Sequence, residues 1–403
     1  MIKREIYLNR IRPFYNDDLI KVITGVRRSG KSFLMNQIVD ELLESNVKKE
    51  QIIFIDLDSK EYKGFKTGKQ LEKEIDRLYT NEKEKTYLFI DEIQNIKDFE
   101  EIINAYRTSF NMSVFVTGSN SYLLSGELIT KLTGRYIEFP ILPFTYTEAI
   151  EYIEQLKSPI EFNIQNYIIY GGLPKRFEYQ EKEQIYQYVE SVTNQIIDKD
   201  ILNRAKVKNK SLLKRMVDYV CVNPATTFSS ASIVKYLKSE SVNTKIHTIN
   251  RYLDFIVNSK IANRCYRYDI KGKKVLKTEE KYYLSDLAFR TIRSNTNNIS
   301  YSNTLENIVY NELISRGYRV YIGKLYNKEI DFIAMKENRI AYIQVSYLIG
   351  SDKAYEREFS ALESIKDNHP KFVISMDPLD MSRDGIKHLK LVEDFLLDKK
   401  SIF

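Results

Sequence analysis

The chain is 403 residues long and 43% hydrophobic, which gives apolar material for sizeable cores and suggests two to four domains. No apolar run approaches the roughly 20 residues of a membrane-spanning helix, and residues 1–5 lack the apolar stretch of a signal peptide. Cys221 and Cys265 lie far apart, and His247, His369 and His388 are scattered, which argues against a disulfide framework or zinc site and for a cytoplasmic, reducing home. The net charge of +7 is unevenly spread: residues 199–290 hold 20 Lys and Arg against 8 Asp and Glu, in an otherwise mildly acidic chain. That bias predicts a middle module facing a polyanion.

Residues 1–19 read as a lead-in, with Ile6, Leu8, Ile11 and Phe14 available to pack. A strand rich in Val and Ile over 20–24 runs into G-V-R-R-S-G-K-S at 25–32, the G-x-x-x-x-G-K-S spacing of a phosphate-binding loop. Gly25 and Gly30 permit the tight turn that aims the N–H groups of Val26, Arg27, Arg28 and Ser29 inward. The helix that follows, from Phe33 to about Leu43, adds its positive amino end. In such a loop Lys31 reaches the β- and γ-phosphates of ATP and the Ser32 hydroxyl holds Mg2+. Arg27 and Arg28 stand where small residues are commoner, so they are expected to meet a lid or a neighbouring domain.

A second strand over 51–57 ends in acids, and a helix over 70–78 presents Leu71, Ile75 and Leu78 on one face. Residues 87–92, Y-L-F-I-D-E, read as a buried strand with two carboxylates at its carboxyl end. Asp91 is the candidate Mg2+ ligand beside Ser32, and Glu92 the candidate for orienting the attacking water. A further strand begins at 114 and ends in Ser119 and Asn120. These two are candidates for sensing a γ-phosphate or positioning water, because ligands gather at the carboxyl ends of parallel strands; a helix cap suits them equally. Arg135 precedes a fifth strand within 131–144. It is either a surface arginine or a charge that reaches the γ-phosphate in the same or a neighbouring subunit.

Helical patterns over 145–205, broken by the turn Y-G-G-L-P at 170–174, read as a helical lid. Residues 206–290 have the pattern of a winged helix, with helices over 211–220, 229–237 and 244–257 and strands over 261–268 and 275–284. Its third helix would offer Lys245, His247, Asn250 and Arg251 to a major groove, and its turn would offer Lys271, Lys273 and Lys274 to phosphates. DNA is thus the candidate partner, and a protein-contact module the alternative. A polar linker over 293–303 leads to a helix, three strands, a helix and a strand, the layout of restriction-endonuclease-like cores. Those cores need an acid on the second strand and E-x-K on the third. Asp331 and the helical Glu306 supply acids, but the third strand reads Gln344-Val345-Ser346, so nuclease activity is not expected.

The motifs T-G-V-R-R-S-G-K-S (24–32), L-F-I-D-E-I-Q (88–94), T-G-S (117–119), T-G-R (133–135), L-P-F (142–144) and Y-G-G-L-P (170–174) together resemble a bacterial and archaeal family. It is the family of AAA-like ATPases with an R-R-x-G-K-S loop and a carboxyl-terminal domain of unknown function. The resemblance spans nearly the whole chain. It implies an α/β P-loop NTPase core of the additional-strand type with a parallel sheet, then a winged helix and a nuclease-like tail. Many relatives keep E-V-K where this chain has Gln344-Val345-Ser346. The expected division is 1–144 for the ATPase core, 145–205 for the lid, 206–290 for the winged helix and 300–403 for an inactive nuclease-like domain. ATP and Mg2+ are the expected ligands, and a homo-oligomer is an expected assembly.

Overall fold

The computed structural model describes residues 2–80, 83–118, 132–159, 161–203, 207–294, 300–350, 352–398 and 402. Two compact units divide the chain, Met1–Pro143 with Asn258–Lys260 and Phe144–Val257 with Ile261–Phe403.

In the first unit, strands β1 (Ile20–Thr24), β2 (Ile52–Asp56), β3 (Thr86–Asp91), β4 (Met112–Gly118) and β5 (Tyr136–Pro140) form one sheet ordered β2-β3-β4-β1-β5. Every neighbouring pair is parallel. Strand β4 therefore stands between β1 and the acid-bearing β3, which is the additional-strand arrangement. Helices α1 (Glu5–Ile11), α2 (Lys31–Glu44), α3 (Gly68–Leu78) and α4 (Phe99–Ser109) cover the sheet. Strands buried on both faces explain the near-continuous apolar runs in the sequence. Alternation then sorts their side chains into two cores. Val22, Leu88, Ile90, Val114 and Val116 share one core with Leu71 and Ile75 of α3 and Ile103 of α4. Ile23, Phe89 and Phe115 share the other with Leu8 and Ile11 of α1 and Leu34 and Ile38 of α2. Phe89 stacks on Phe115 at 4.6 Å in that second layer.

The second unit begins with α5 (Tyr146–Leu156), α6 (Ile164–Tyr170) and α7 (Lys182–Gln195), so the helices expected over 145–205 belong to it. Next come α8 (Lys210–Val222), α9 (Ser230–Ser239), α10 (Ile246–Asn258), β6 (Ala262–Asp269) and β7 (Lys274–Leu284), the elements expected between 206 and 290. Helix α10 buries Ile249, Tyr252, Leu253 and Ile256, one face at the 3, 4, 7 spacing of an amphipathic helix. A short helix α11 (Ala288–Thr291) precedes α12 (Tyr301–Ser315), β8 (Arg319–Leu325), β9 (Lys328–Lys336), β10 (Arg339–Val345), α13 (Asp352–Glu363), β11 (Lys371–Ser375) and β12 (Ile386–Lys390).

These strands make a single seven-stranded sheet ordered β12-β11-β10-β9-β8-β6-β7. Strand β6 runs parallel to β8, with Arg267 opposite Ile322 and Asp269 opposite Lys324. The sheet thus crosses the polar linker that separates 206–290 from 300–403 in sequence. The reason lies in the core. Tyr283 of β7 stacks on Tyr310 of α12 at 4.1 Å and packs against Phe332 of β9 at 5.6 Å. Helix α12 is accordingly buried on nearly every side.

Candidate functional site

The loop 25–30 joins the end of β1 to the start of α2 in the first unit. Gly30 is the helix N-cap with φ +96°, and Arg28 also holds a left-handed backbone at φ +67°. Gly25 is packed so closely that a Cβ there would lie 2.4 Å from the carbonyl oxygen of Ile141. Val26 and Ser29 are buried, Arg27 and Phe33 half-buried, and Arg28 and Ser32 exposed. The Ser29 hydroxyl is buried with no hydrogen-bond partner among the described residues. Lys31 is also buried; its Nζ donates to the carbonyls of Gly25 (3.2 Å) and Val26 (3.3 Å) and lies 4.0 Å from Glu92 Oε1.

Asp91 ends β3 and is buried. Burial raises its pKa, and hydrogen bonds from the Ser32 and Thr117 hydroxyls oppose that rise. Ser32 and Asp91, paired from sequence, are therefore in direct contact. Glu92 follows in a left-handed conformation (φ +56°) that ends the strand. Its N–H donates to Thr117 Oγ1 at 3.0 Å, and Gln94 Nε2 donates to its carboxylate. Sequence reasoning passed over Thr117 in favour of Ser119 and Asn120, which lie outside the described residues. Strand parity marks Thr117: Ile90 stands opposite Val116, so Asp91 and Thr117 are next in register and share a face.

A second residue that sequence reasoning missed is Arg4. It is almost fully buried, and its guanidinium Nη1 donates to the Ser29 carbonyl at 2.9 Å. Nη2 donates to the carbonyls of Leu142 (3.0 Å) and Pro143 (3.4 Å), and the guanidinium carbon lies 4.6 Å from the centre of the Tyr7 ring. Arg4 is one of three arginines in the charged lead-in over 1–19, and nothing in its local pattern singles it out. Arg135, in contrast, is exposed at the amino end of β5, where its carbonyl accepts from Ile20 N. Ile20 begins β1 and the loop follows its other end, about 16 Å away along five residues of strand. Within one chain Arg135 is not at the loop, which corrects the expectation for the same subunit.

In the second unit, Lys245 and Arg251 are exposed, as are Lys271, Lys273 and Lys274 in the β6–β7 turn. Glu306 and Asp331 line a cavity of about 460 Å3 with Gln344 and Glu358. Both acids are committed to the surrounding fold. Glu306 accepts from Lys281 Nζ (2.8 Å) and the Tyr283 hydroxyl (2.6 Å), and Asp331 accepts from Val345 N (2.8 Å). Burial raises both pKa values, that of Asp331 well above the carboxylate range. Gln344 uses its side-chain oxygen to accept from Asp331 N at 3.3 Å. Among the described residues, no group of three or more His, Cys, Asp or Glu is arranged to hold a metal ion, and no helix is long and apolar enough to cross a membrane.

Comparison with known proteins bears on the domains and the fold. Residues 17–150 match the AAA domain family, and residues 161–299 match a domain of unknown function (DUF8612). An uncharacterized protein of Haemophilus influenzae is 38% identical over 402 residues, covering 98% of this chain and 99% of the relative. One from Methanocaldococcus jannaschii is 28% identical over 371 residues, covering 86% of this chain and 79% of the relative. Among solved structures, a Walker-type ATPase of Pyrococcus abyssi is similar in fold, with a TM-score of 0.52 at 15% identity over 73% of this chain and 96% of that chain. The chain belongs to the family of the Haemophilus influenzae protein, and within the chain an AAA domain with a P-loop ATPase fold precedes a domain of unknown function.

Proposed function

We propose that the chain is a Mg2+-dependent ATPase whose turnover drives or times a conformational change in a DNA- or partner-binding carboxyl-terminal region. One observation carries this reading: Lys31, Ser32, Asp91, Thr117 and Glu92 converge where β1, β3 and β4 end. The loop fits a phosphate. Its first glycine leaves no room for a Cβ, the Ser29 hydroxyl is an orphaned buried polar atom, and an ammonium sits against the loop's carbonyls. The pair of a hydroxyl and a carboxylate fits Mg2+, which takes hard oxygen ligands.

In this reading the N–H groups of residues 25–32 and the amino end of α2 bind the phosphates. The Lys31 ammonium leaves the carbonyls of Gly25 and Val26 and turns to the β- and γ-phosphates. Ser32 and Asp91 would hold Mg2+, whose charge screens the phosphate oxygens when it is bound. Glu92 accepts a hydrogen bond from the attacking water and takes its proton as the water oxygen bonds the γ-phosphorus, while the bond from that phosphorus to the β–γ bridging oxygen breaks and ADP leaves with the bridging oxygen. Thr117 orients this pair of acids by donating to Asp91 and accepting from Glu92 N. Arg135 enters only as a residue offered to a neighbouring copy's site. The test is fluorescent-ATP binding together with phosphate release. Lys31→Ala should bind no nucleotide, and Glu92→Gln should bind it yet hardly turn over. Native turnover by Glu92→Gln would overturn the assignment.

A slow nucleotide switch is the second reading. Gln94 donates to the Glu92 carboxylate and Lys31 lies beside it, so Glu92 must shed neighbours before it can activate water. Turnover stimulated by DNA supports the motor. Slow turnover with ATP-dependent DNA affinity supports the switch.

A further inference from the structure

The β6–β7 and β8–β9 hairpins turn at the same end of the seven-stranded sheet, because β6 and β8 are parallel neighbours. Past the last paired residues, Ile270 N still donates to the Lys324 carbonyl at 3.0 Å. The two tips therefore lie side by side. One carries Lys271, Lys273 and Lys274, all exposed, in a turn braced by Gly272 N donating to Asp269 Oδ1 at 3.0 Å. The other carries Tyr326, which is 68% exposed in a left-handed backbone conformation at φ +57°. Lys271 Nζ stands 5.0 Å from the centre of the Tyr326 ring.

A tyrosine this exposed contributes little to the core, and the left-handed conformation is one a β-hairpin tip usually gives to Gly or Asn. Its ring is large, flat and within reach of an ammonium. A row of lysines beside an exposed aromatic face is the chemistry that grips a single strand: ammonium groups track phosphates while an unpaired base stacks on the ring. A duplex keeps its bases stacked inside and would leave the ring unused.

We infer that these two adjoining hairpin tips form a contact surface for single-stranded nucleic acid, with Lys271, Lys273 and Lys274 on phosphates and Tyr326 as a stacking platform. This rests on the reading that the carboxyl-terminal region engages nucleic acid, and it names the strand state and the surface.

The full-length protein is titrated against a fluorescent 30-nucleotide oligo-dT and a 30-base-pair duplex at several salt concentrations. The wild type should prefer the single strand. Tyr326→Ala should weaken oligo-dT binding by about tenfold, the loss expected for one stacked base, with Tyr326→Phe restoring it and duplex binding unmoved. Lys271→Ala with Lys273→Ala should lower the salt slope on the single strand by about 1.4. Melting curves check that each variant folds. Equal binding of both probes with no effect of Tyr326→Ala overturns the inference while leaving nucleic-acid binding standing. Binding of neither probe overturns both. ATP turnover without nucleic acid, measured in parallel, shows separately whether the ATPase stands.

Discussion

Arg4 donates to the carbonyl of Ser29 at 2.9 Å, so the amino-terminal segment holds the phosphate-binding loop from behind. The same guanidinium bonds Leu142, next to Ile141 whose carbonyl crowds Gly25. One buried cation thus fixes both walls of the loop. Arg4→Ala would leave these carbonyls without buried donors, at a cost of about 3 kcal/mol. Its effect should not stop at stability. With the Ser29 peptide free to rotate, nucleotide affinity should fall about tenfold or more in protein that melting curves show to be folded. Arg4→Lys restores the charge but not the fork that reaches both segments, and should bind with intermediate affinity. Native affinity in folded Arg4→Ala would show the contact to be structural only.

The relation between Arg4 and Ser29 also marks how far the sequence could be read. The spacing of Gly25, Gly30, Lys31 and Ser32 is local, and so is the run of apolar residues before Asp91; each is set by the chemistry of its own segment. Sequence reasoning paired Ser32 with Asp91 across two such segments, and in the structure the Ser32 hydroxyl hydrogen-bonds the Asp91 carboxylate. Arg4 had no comparable signal, since its partners are backbone carbonyls distant in sequence. Thr117 was legible by strand parity, and attention to the polar residues beyond it hid that. The hairpin of β6 and β7 looked like the wing of a separate module because its local pattern is complete. What joins it to the tail is non-local: β6 pairs with β8, and Tyr283 stacks on Tyr310.

Two glycines separate binding from stability. At Gly25 an added Cβ would stand 2.4 Å from the Ile141 carbonyl oxygen and 2.9 Å from Ser29 Oγ. The loop must shift, so Gly25→Ala should lose nucleotide binding, measured by fluorescent-ATP titration, with only a modest fall in melting temperature. At Gly171 the backbone is left-handed at φ +68° and a Cβ would overlap Asp286 Oδ1 at 1.6 Å. That side chain is locked by N–H donors and cannot yield. Gly171→Ala should therefore destabilise the second unit by about 4 kcal/mol or more. A second unit that melts as the wild type does would refute the packing described for this turn.

Asp286 gives a prediction in pH. It is buried in the second unit, and burial pushes its pKa up from 3.8 to about 6. Donation from Ala288 N and Gly172 N, at 2.8 Å each, and the charge of Arg176 hold back a larger rise. Between pH 3.8 and 6 the folded chain retains a proton that the unfolded chain has released. This group's contribution to stability is therefore greatest below about pH 4 and declines as pH rises to 6, by about 3 kcal/mol. Above pH 6 both states are ionised and the decline stops. Other buried acids, Glu306 and Asp331 among them, add slopes of the same sign, so the measurement is a difference. Urea unfolding of wild type and Asp286→Asn at pH 4.5 and 7 should show a smaller fall for the variant. Asparagine keeps only one oxygen for the N–H donors of Gly172, Leu173 and Ala288 and sets an amide against the rest, so its absolute stability will be lower at both pH values. The slope is what reports the carboxylate, and equal slopes in the two proteins would mean that Asp286 titrates in the fold as it does in the unfolded chain.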